Sequence, residues 1–358
     1  MKPTRSLVAL CLSSALMLSA CSGGDDTDAD QATSTGDAGA ATTDAAAATA
    51  SPDEASATAE PTEESTQGVL SIGEAETIAN DVLTAAAKST QSDGESAASD
   101  MEAGFAGPAL EAAKAADKLE KVEGEPASID LIANPIDANV LAISRDDGET
   151  PAIILAQTVP GSGIPELHLL VSQDGNEDFK VVWTAPQLPG TEVGSFDRRT
   201  AGTPVVRSGG GDFSTTPGTA LNELADYVDY PINPIAEVRT NGFAPEVRAN
   251  ALTQAKDVEV QADFVERNEV IPGNTVTLYL EDGSGVTFAV LDRESTFTVK
   301  EGMELTPPET FTTFVDDESL TESATLEAYV FVAMTIPVEE GKPSLIAAGE
   351  QIIGASGE

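Results

Sequence analysis

Apolar side chains recur at helical intervals from residue 72 onward. Ser71 and Glu74 have the spacing of a capping box, in which a serine and a glutamate close the first turn of a helix. The apolar positions that fit one face of this helix are Ile72, Ala75, Ile78, Ala79, Val82, Leu83 and Ala86. A second helix is expected from about Pro108 to Leu119, with its apolar side chains at similar intervals. The pattern therefore places helices at the start of the folded part.

The pattern then changes to short apolar runs separated by turn residues, which is typical of strands. In the first half, strands are expected near 127–132, 139–144, 151–159, 165–172 and 178–185. Residues 198–216 are rich in Gly, Thr and Ser and have the composition of an inter-domain linker. Helices are then expected over 217–229 and from Gly242, with strands near 258–267, 274–281, 284–292 and 295–300. Helices followed by antiparallel strands indicate an α+β fold.

Short motifs occur in the same order in both halves of the folded part. GFAGP at 104–108 and GFAP at 242–245 each open an expected helix. AQTVP at 156–160 and AMTIP at 333–337 each precede a polar loop, a proline and another apolar run. We therefore predict an internal duplication with two α+β modules, 71–197 and 217–358, joined by the linker 198–216. Chance similarity in a sequence rich in Ala and Pro is the alternative.

The first twenty-one residues have the layout of a bacterial secretion signal. Two basic residues precede a short apolar stretch, 7–18, and this stretch is shorter than the ~20 residues that span a bilayer. We therefore expect residues 1–20 to be a signal peptide that is removed from the mature protein. The stretch ends in LSAC at 18–21, which resembles the lipobox of bacterial lipoproteins. The resemblance implies cleavage between Ala20 and Cys21 and a diacylglycerol on the Cys21 thiol; an ordinary cysteine after a secretory signal is the alternative.

Two consequences follow from this reading of the N-terminus. Cys11 leaves with the signal peptide and Cys21 is consumed by lipid, so the mature chain has no thiol for a disulfide or a thiolate metal site. Residues 22–70 are acidic, rich in Ala, Thr and Ser, and almost without large apolar side chains. Such a segment cannot offset its ordering entropy, so 21–70 is expected to be a lipidated, disordered tether. The expected location is the outer face of the cell membrane, with a lipid anchor as the membrane contact.

The composition excludes several function classes. Sixty-one acidic and 18 basic residues give a net charge of −43, whereas nucleic-acid binding needs a basic surface. With a single histidine, His168, a multi-histidine metal site is impossible, and His168 itself is expected on a strand as a surface or rim side chain. The glycine clusters lack the spacing of a nucleotide-binding loop and are expected to be hairpin turns. No catalytic residue, metal or cofactor is predicted.

Four segments carry a resemblance to a known group of proteins. They are GFAGPAL (104–110), VVWTAPQLPG (181–190), LYLEDGSGVTFAVLDRESTFTV (278–299) and IAAGEQIIGASGE (346–358). The chain from about 71 to 358 resembles an uncharacterised family of actinobacterial lipoproteins that share a domain of unknown function. The resemblance implies tandem NTF2-like or cystatin-like modules, in which helices pack on a curved antiparallel sheet. It supplies no catalytic residues.

Two aromatic residues are candidates for a binding site. Tyr227 and Tyr230 lie near the end of an expected helix, before Pro231, and NTF2-like cones commonly leave an apolar opening that such residues could rim. Core packing is the alternative for both. The predicted function is non-enzymatic interaction or ligand binding by a surface lipoprotein, with an unknown cell-envelope protein or a small apolar ligand as partner. Two alternatives stay open: a cell-envelope hydrolase that uses carboxylates, and a chaperone-like envelope assembly factor.

Overall fold

A computed structural model describes residues 68–89, 97–119, 137–146, 151–173, 177–206, 211–233, 237–316 and 319–358. All of these residues belong to one compact unit. The predicted strand near 127–132, the predicted signal peptide with Ala20, and the predicted tether from Cys21 to residue 67 lie outside the described residues. The last three residues of the predicted tether, 68–70, are described: Gly68 pairs with Arg145, and Val69 N donates to Ser144 O at 3.0 Å, so the ordered part begins at Gly68 and not at Ser71. None of the helices in the described ranges is long and apolar enough to cross a membrane.

The first half begins with helices and ends in a four-stranded sheet. The helices are α1 (Ile72–Ser89), α2 (Ala97–Gly104) and α3 (Gly107–Leu119). The strands are β1 (Asn139–Ile143), β2 (Ile153–Thr158), β3 (Glu166–Ser172) and β4 (Phe179–Pro186), paired antiparallel in sequence order. The predicted capping box is confirmed, since Ser71 N donates to Glu74 Oε2 at 3.0 Å and Glu74 N donates to Ser71 Oγ at 3.3 Å.

The second half also begins with helices and continues into an antiparallel sheet, three of whose strands have 14 or 15 residues. Its elements are α4 (Pro217–Val228), α5 (Phe243–Val258), β5 (Ala262–Val270), β6 (Val276–Tyr279), β7 (Gly285–Val299), α6 (Glu309–Thr312), β8 (Ser323–Ile336) and β9 (Ser344–Gly357). The sheet order is β5-β7-β8-β9, and β6 pairs with β7 as well. The described part of the chain therefore has the predicted α+β class, with two antiparallel sheets.

The prediction of two separate strands over 284–292 and 295–300 is wrong. Residues 285–299 form the single strand β7, which pairs with β8 from Gly285 to Thr298 without a break in register. The polar residues Arg293 and Glu294 interrupt the apolar pattern between the two predicted strands. The strand continues through them because the Arg293 side chain is buried beside carboxylates while Glu294 points to solvent.

The main apolar core draws on both sheets. It combines α1–α3 and β1–β4 with Phe288, Phe331 and Ala347 of the second sheet. The lone tryptophan, Trp183 on β4, joins the two, because its Nε1 donates to the carbonyl oxygen of Ala289 at 2.9 Å. A second core, around Phe264 and other residues of the second half, lies where α5 packs against β5.

Residues of the predicted linker 198–216 contact both sheets. Thr203 pairs with Ser144 at the end of β1, and Val206 N donates to Thr277 O on β6 at 2.8 Å. Further along, the ring of Phe213 lies 5.3 Å from that of Tyr279. The described part of this stretch is therefore held by hydrogen bonds and ring contacts along its length.

Candidate functional site

A groove of about 710 Å³ opens between α5 and the start of β5. Residues of α5 from Leu252 to Asp257 form one side, and Ala262 to Phe264 of β5 form another. Tyr230 and Pro231, which follow α4, also line it. Tyr230 is one of the two residues predicted from the sequence to line the opening of a binding site, and the groove lies beside it.

Backbone pairing with β5 fixes the position of Tyr230. Its N–H donates to the carbonyl oxygen of Glu266 and its own carbonyl accepts from Glu266 N, both at 3.0 Å. Its ring centroid lies 5.5 Å from that of Phe264, which in turn lies 4.9 Å from Phe297. Tyr230 thus connects the groove to the aromatic core of the second half.

The groove lining combines apolar and charged groups. Leu252 is 49% exposed although it is a large aliphatic residue. Lys300 Nζ lies 3.2 Å from Asp263 Oδ1 and donates to the backbone oxygen of Glu259 at 2.5 Å. Such a lining suits a ligand that carries both an apolar group and polar or charged groups.

Tyr227, the second candidate, does not line this groove in the described structure. The guanidinium carbon of Arg248 lies 4.0 Å from the centroid of its ring, a cation–π contact. The Nη1 of Arg248 also donates to the backbone oxygens of Tyr227 and Asn233. Tyr227 therefore connects the end of α4 to α5, and the structure does not bring it together with Tyr230 at one surface.

No protein-family model, curated protein or solved structure matches this chain. The family resemblance drawn from the sequence stays a prediction.

A charged cluster lies under α4 and α5, on the buried side of β5 and β7. Arg293 is 6% exposed, and its Nη1 lies 2.7 Å from Glu350 Oε2 while its Nε donates to Asn268 Oδ1 at 3.2 Å. Glu266, 4% exposed, accepts from Ser295 Oγ at 2.9 Å. Sequence reasoning missed this cluster, although an arginine inside an apolar strand is a signal for a buried ion pair.

Asp229 extends this cluster to the end of α4. Its Oδ1 accepts from Asn268 N at 2.8 Å and from Asn268 Nδ2 at 3.2 Å. Its Oδ2 lies 3.3 Å from Nη1 of Arg267 on the solvent side of β5. The residue after α4 is therefore attached to β5 by its carboxylate, just before Tyr230 pairs with the same strand.

Burial governs the ionisation of the cluster. It raises the pKa of Glu266, and Arg293 nearby opposes that rise, while burial also raises the pKa of Asp229. Glu266 Oε1 and Arg293 Nη2 have no hydrogen-bond partner among the described residues. None of these side chains lines the groove in the described structure, so the cluster holds elements together beside the groove.

The prediction that His168 is a surface or rim residue is wrong. His168 is fully buried on β3, paired with Ala156 of β2 and Thr184 of β4. Its two ring nitrogens each lie 2.8 Å from a hydroxyl, Nε2 from Thr158 Oγ1 and Nδ1 from Thr184 Oγ1. Burial lowers the pKa of His168 to about 3, so the ring is neutral at physiological pH.

Metal and nucleotide chemistry find no support in the described ranges. No group of three or more His, Cys, Asp or Glu side chains there could hold a metal ion. Gly163 and Gly283 have φ of 78° and 84° and lie in the turns before β3 and β7, a left-handed conformation that glycine adopts without a Cβ clash. These glycines therefore serve hairpins, as the sequence predicts.

Proposed function

We propose that this chain is anchored by lipid to the outer face of the cell membrane, binds a partner or ligand there, and catalyses no reaction. The observation that carries the binding part is the groove beside Tyr230, which offers an exposed leucine, aromatic rings and an ion pair within one concave surface. An unknown cell-envelope protein or a small apolar ligand is the proposed occupant. The anchor is proposed from the lipobox-like residues that end in Cys21.

The finer fold prediction, tandem NTF2-like or cystatin-like modules, belongs to this proposal. Each half runs from helices into an antiparallel meander of four strand positions, because β5 and β6 both pair with β7 and occupy one position. This shared order supports a duplication. The GFAGP and GFAP motifs equate α3 with α5, and this match makes β7 the counterpart of β2. The AQTVP and AMTIP motifs, however, make β8 the counterpart of β2. Both matches hold together only if a strand precedes β1, where the predicted strand 127–132 lies.

The carboxylate-based hydrolase is a weaker alternative. Such an enzyme needs two carboxylates that face each other across a cleft, with one pKa raised. Glu266 has a raised pKa but is 4% exposed, and the groove lining contains neither Glu266 nor Glu350. The carboxylates that do line the groove are Asp257, Glu259 and Asp263, and Asp263 forms an ion pair with Lys300. The buried arginine between Glu266 and Glu350 gives them a structural partner, which favours a role in stability.

Two experiments in intact cells test the two parts of the proposal. For the anchor, Cys21→Ala should move the protein from the membrane fraction to the soluble extracytoplasmic fraction, because no diacylglycerol can attach. Cys11→Ala is the matched control, since Cys11 lies in the predicted signal peptide, and it should leave the protein on the membrane. A Cys21→Ala variant that still sediments with membranes contradicts the anchor.

The binding part uses a photo-crosslinking amino acid at position 252, inside the groove. A discrete product specific to this position is expected on illumination of intact cells. Val159, which is 64% exposed and lies in the β2–β3 connection away from the groove, provides the control position. The same crosslinking pattern from both positions, or none from position 252, contradicts a binding groove.

A further inference from the structure

The Glu266 side chain is buried on β5 with no described cation at bonding distance. It is 4% exposed. The hydroxyl of Ser295 donates to its Oε2 at 2.9 Å, and its Oε1 has no hydrogen-bond partner among the described residues. Arg293 attracts Glu266, but the close ion pair of Arg293, at 2.7 Å, is with Glu350. In the described structure the carboxyl group of Glu266 therefore bonds to one neutral hydroxyl.

The charges on the strands and at the end of α4 do not balance this carboxyl group when it is ionised. Glu350 of β9 and Arg293 of β7 compensate each other. Asp229, which follows α4, pairs with Arg267 on the solvent side of β5. The residues of β8 that pair with this part of β7 on the buried face are apolar. The ionised form of Glu266 would thus be an excess negative charge inside the protein.

The two helices that pack on β5 do not supply the missing cation in the described structure. Asp226 of α4 adds negative charge near the end of that helix. Arg248 of α5 stacks on the ring of Tyr227 and donates to its backbone oxygen. Lys256 and Asp257 of α5 line the groove and lie away from the cluster. A bound proton is the simplest group that neutralises the buried carboxylate.

Glu266 also holds residues 228–230, which we call the α4 end. Its N–H donates to the carbonyl oxygen of Tyr230, and its carbonyl oxygen accepts from Tyr230 N, both at 3.0 Å. Arg267 Nη1 donates to the backbone oxygens of both residues at 3.3 Å. Because α4 packs against β5, movement of the α4 end away from this strand would let water reach the Glu266 side chain.

We propose that Glu266 carries a proton while the α4 end is docked on β5, so that loss of the proton favours release of the α4 end. A buried carboxyl group with one neutral donor is much less costly neutral than ionised. Burial accordingly raises the pKa of Glu266 above its ordinary value of 4.5. Once the α4 end is released, water solvates the carboxylate and the ordinary pKa returns.

This coupling predicts that docking weakens as the pH rises. The contribution of the Glu266 proton to docking is complete below pH 4.5 and is lost as the pH rises through the raised pKa. Between these limits, each pH unit increases the released fraction by up to about tenfold. Burial also raises the pKa of Asp229, which acts in the same direction. Tyr230 lines the groove, so the proton controls one of its walls, whatever the groove binds.

Hydrogen–deuterium exchange at the amides of Tyr230 and Glu266 tests the coupling. The parent chain carries Cys21→Ala, which keeps every other residue and omits the lipid. Opening constants, corrected for the intrinsic exchange rate, are measured from about pH 5 to about pH 8, with amides of β3 as the reference for global unfolding. We expect the opening constant of the α4 end to increase by up to about tenfold per pH unit.

Glu266→Gln is the decisive variant, because glutamine has the shape of the protonated side chain and cannot ionise. Its α4 end should open less than that of the parent at about pH 8, with a clearly smaller pH dependence. Asp292→Asn is the matched control. Asp292 also has a raised pKa, but it lies on the opposite face of the sheet, so the parent's pH dependence should persist.

Infrared spectroscopy detects the proton directly. At about pH 6 exposed carboxyl groups are ionised, so the difference spectrum of the parent minus Glu266→Gln should contain the C=O stretching band of a neutral carboxylic acid. Absence of this band overturns the inference, and so does an equal pH dependence of the α4 end in the parent and Glu266→Gln. A single opening constant shared by the Tyr230 and β3 amides at every pH would mean that the α4 end is not released separately, which also overturns it.

Discussion

His168 lies fully buried in the first sheet, where the hydroxyl groups of Thr158 and Thr184 flank both nitrogens of its ring. Hydroxyl groups can donate or accept, so they satisfy a neutral ring in either tautomer but offer no charge to balance an imidazolium. This explains why burial alone lowers the pKa of His168 to about 3. The residue is suited to holding three strands together and is shielded from solvent-borne substrates.

The lowered pKa makes stability depend on pH with a definite sign. The unfolded chain binds a proton at His168 below its ordinary pKa of 6.5, and the folded chain does so only near 3. The stabilising contribution is therefore complete above 6.5 and is lost as the pH falls, with a slope of up to about 1.4 kcal/mol per pH unit. Denaturant unfolding of His168→Gln should show a flatter pH dependence than the wild type by roughly this slope.

Thr158→Val provides the control for His168→Gln. It removes a flanking hydroxyl but keeps the histidine, so the acid-dependent slope should persist although overall stability falls. Burial raises the pKa of Glu266 and Asp292, so these carboxyls stabilise the fold at acid pH and act in the opposite direction to His168. The predicted result is therefore a difference between His168→Gln and the wild type in the pH slope of the free energy of unfolding. Equal slopes for His168→Gln and the wild type contradict it.

The failure to predict the burial of His168 has a physical cause. Alternation along β3 assigns His168 to the face opposite Leu167 and Leu169, and a sheet with one solvent face would expose it. Both faces of β3 are buried here, which depends on contacts that are distant in sequence. Arg293 shows the same limit, because its partners Glu266 and Glu350 come from two other strands.

At the scale of elements, α1 and α2 approach each other closely at a glycine. A Cβ added to Gly104 would lie 2.6 Å from the Cα of Ala86 and 2.9 Å from its Cβ. The backbone of Ala86 cannot move without shifting α1. Gly73, near the start of α1, has nothing within 4 Å of the corresponding position. The two glycines thus provide a matched pair of helix positions, one crowded and one open.

We expect Gly104→Ala to lower the free energy of unfolding by about 1–3 kcal/mol, as overpacking of a tight contact does. Gly73→Ala should leave it unchanged or raise it by up to ~1 kcal/mol, because alanine has the higher helix propensity. Urea unfolding of both variants at neutral pH measures the difference. If Gly104→Ala proves as stable as Gly73→Ala, the two helices do not pack as described.

The elements themselves were largely predictable from the sequence. Periodic apolar positions and the Ser71–Glu74 box located α1, and short apolar runs between turn residues located β1 to β4 to within a few residues. The short helix α2 was missed, since its sequence is rich in Ala and Ser and packing against α1 supports it. The groove was only half predictable: Tyr230 lies in it, but Tyr227, three residues earlier, points to Arg248.

At the scale of the whole molecule, the contact between the two sheets decides how the protein unfolds. Trp183 of the first sheet donates a hydrogen bond to Ala289 of the second, and its ring meets Phe288 edge-on at 5.0 Å. These partners are about a hundred residues apart in sequence, so periodicity within either half could not predict their contact. Because the main core includes residues of both sheets, loss of either sheet would expose apolar surface on the other.

We therefore predict that the described body unfolds as one cooperative unit although it contains two separate sheets. The fluorescence of Trp183, the chain's one tryptophan, reports on the contact between the sheets, and far-UV circular dichroism reports on all secondary structure. Their urea transitions should coincide. A chain with Trp183→Phe and Tyr230→Trp moves the reporter to the groove, and its fluorescence should again follow its own circular dichroism. Two separate transitions in either chain would mean that the halves unfold independently and that the shared core contributes little to their coupling.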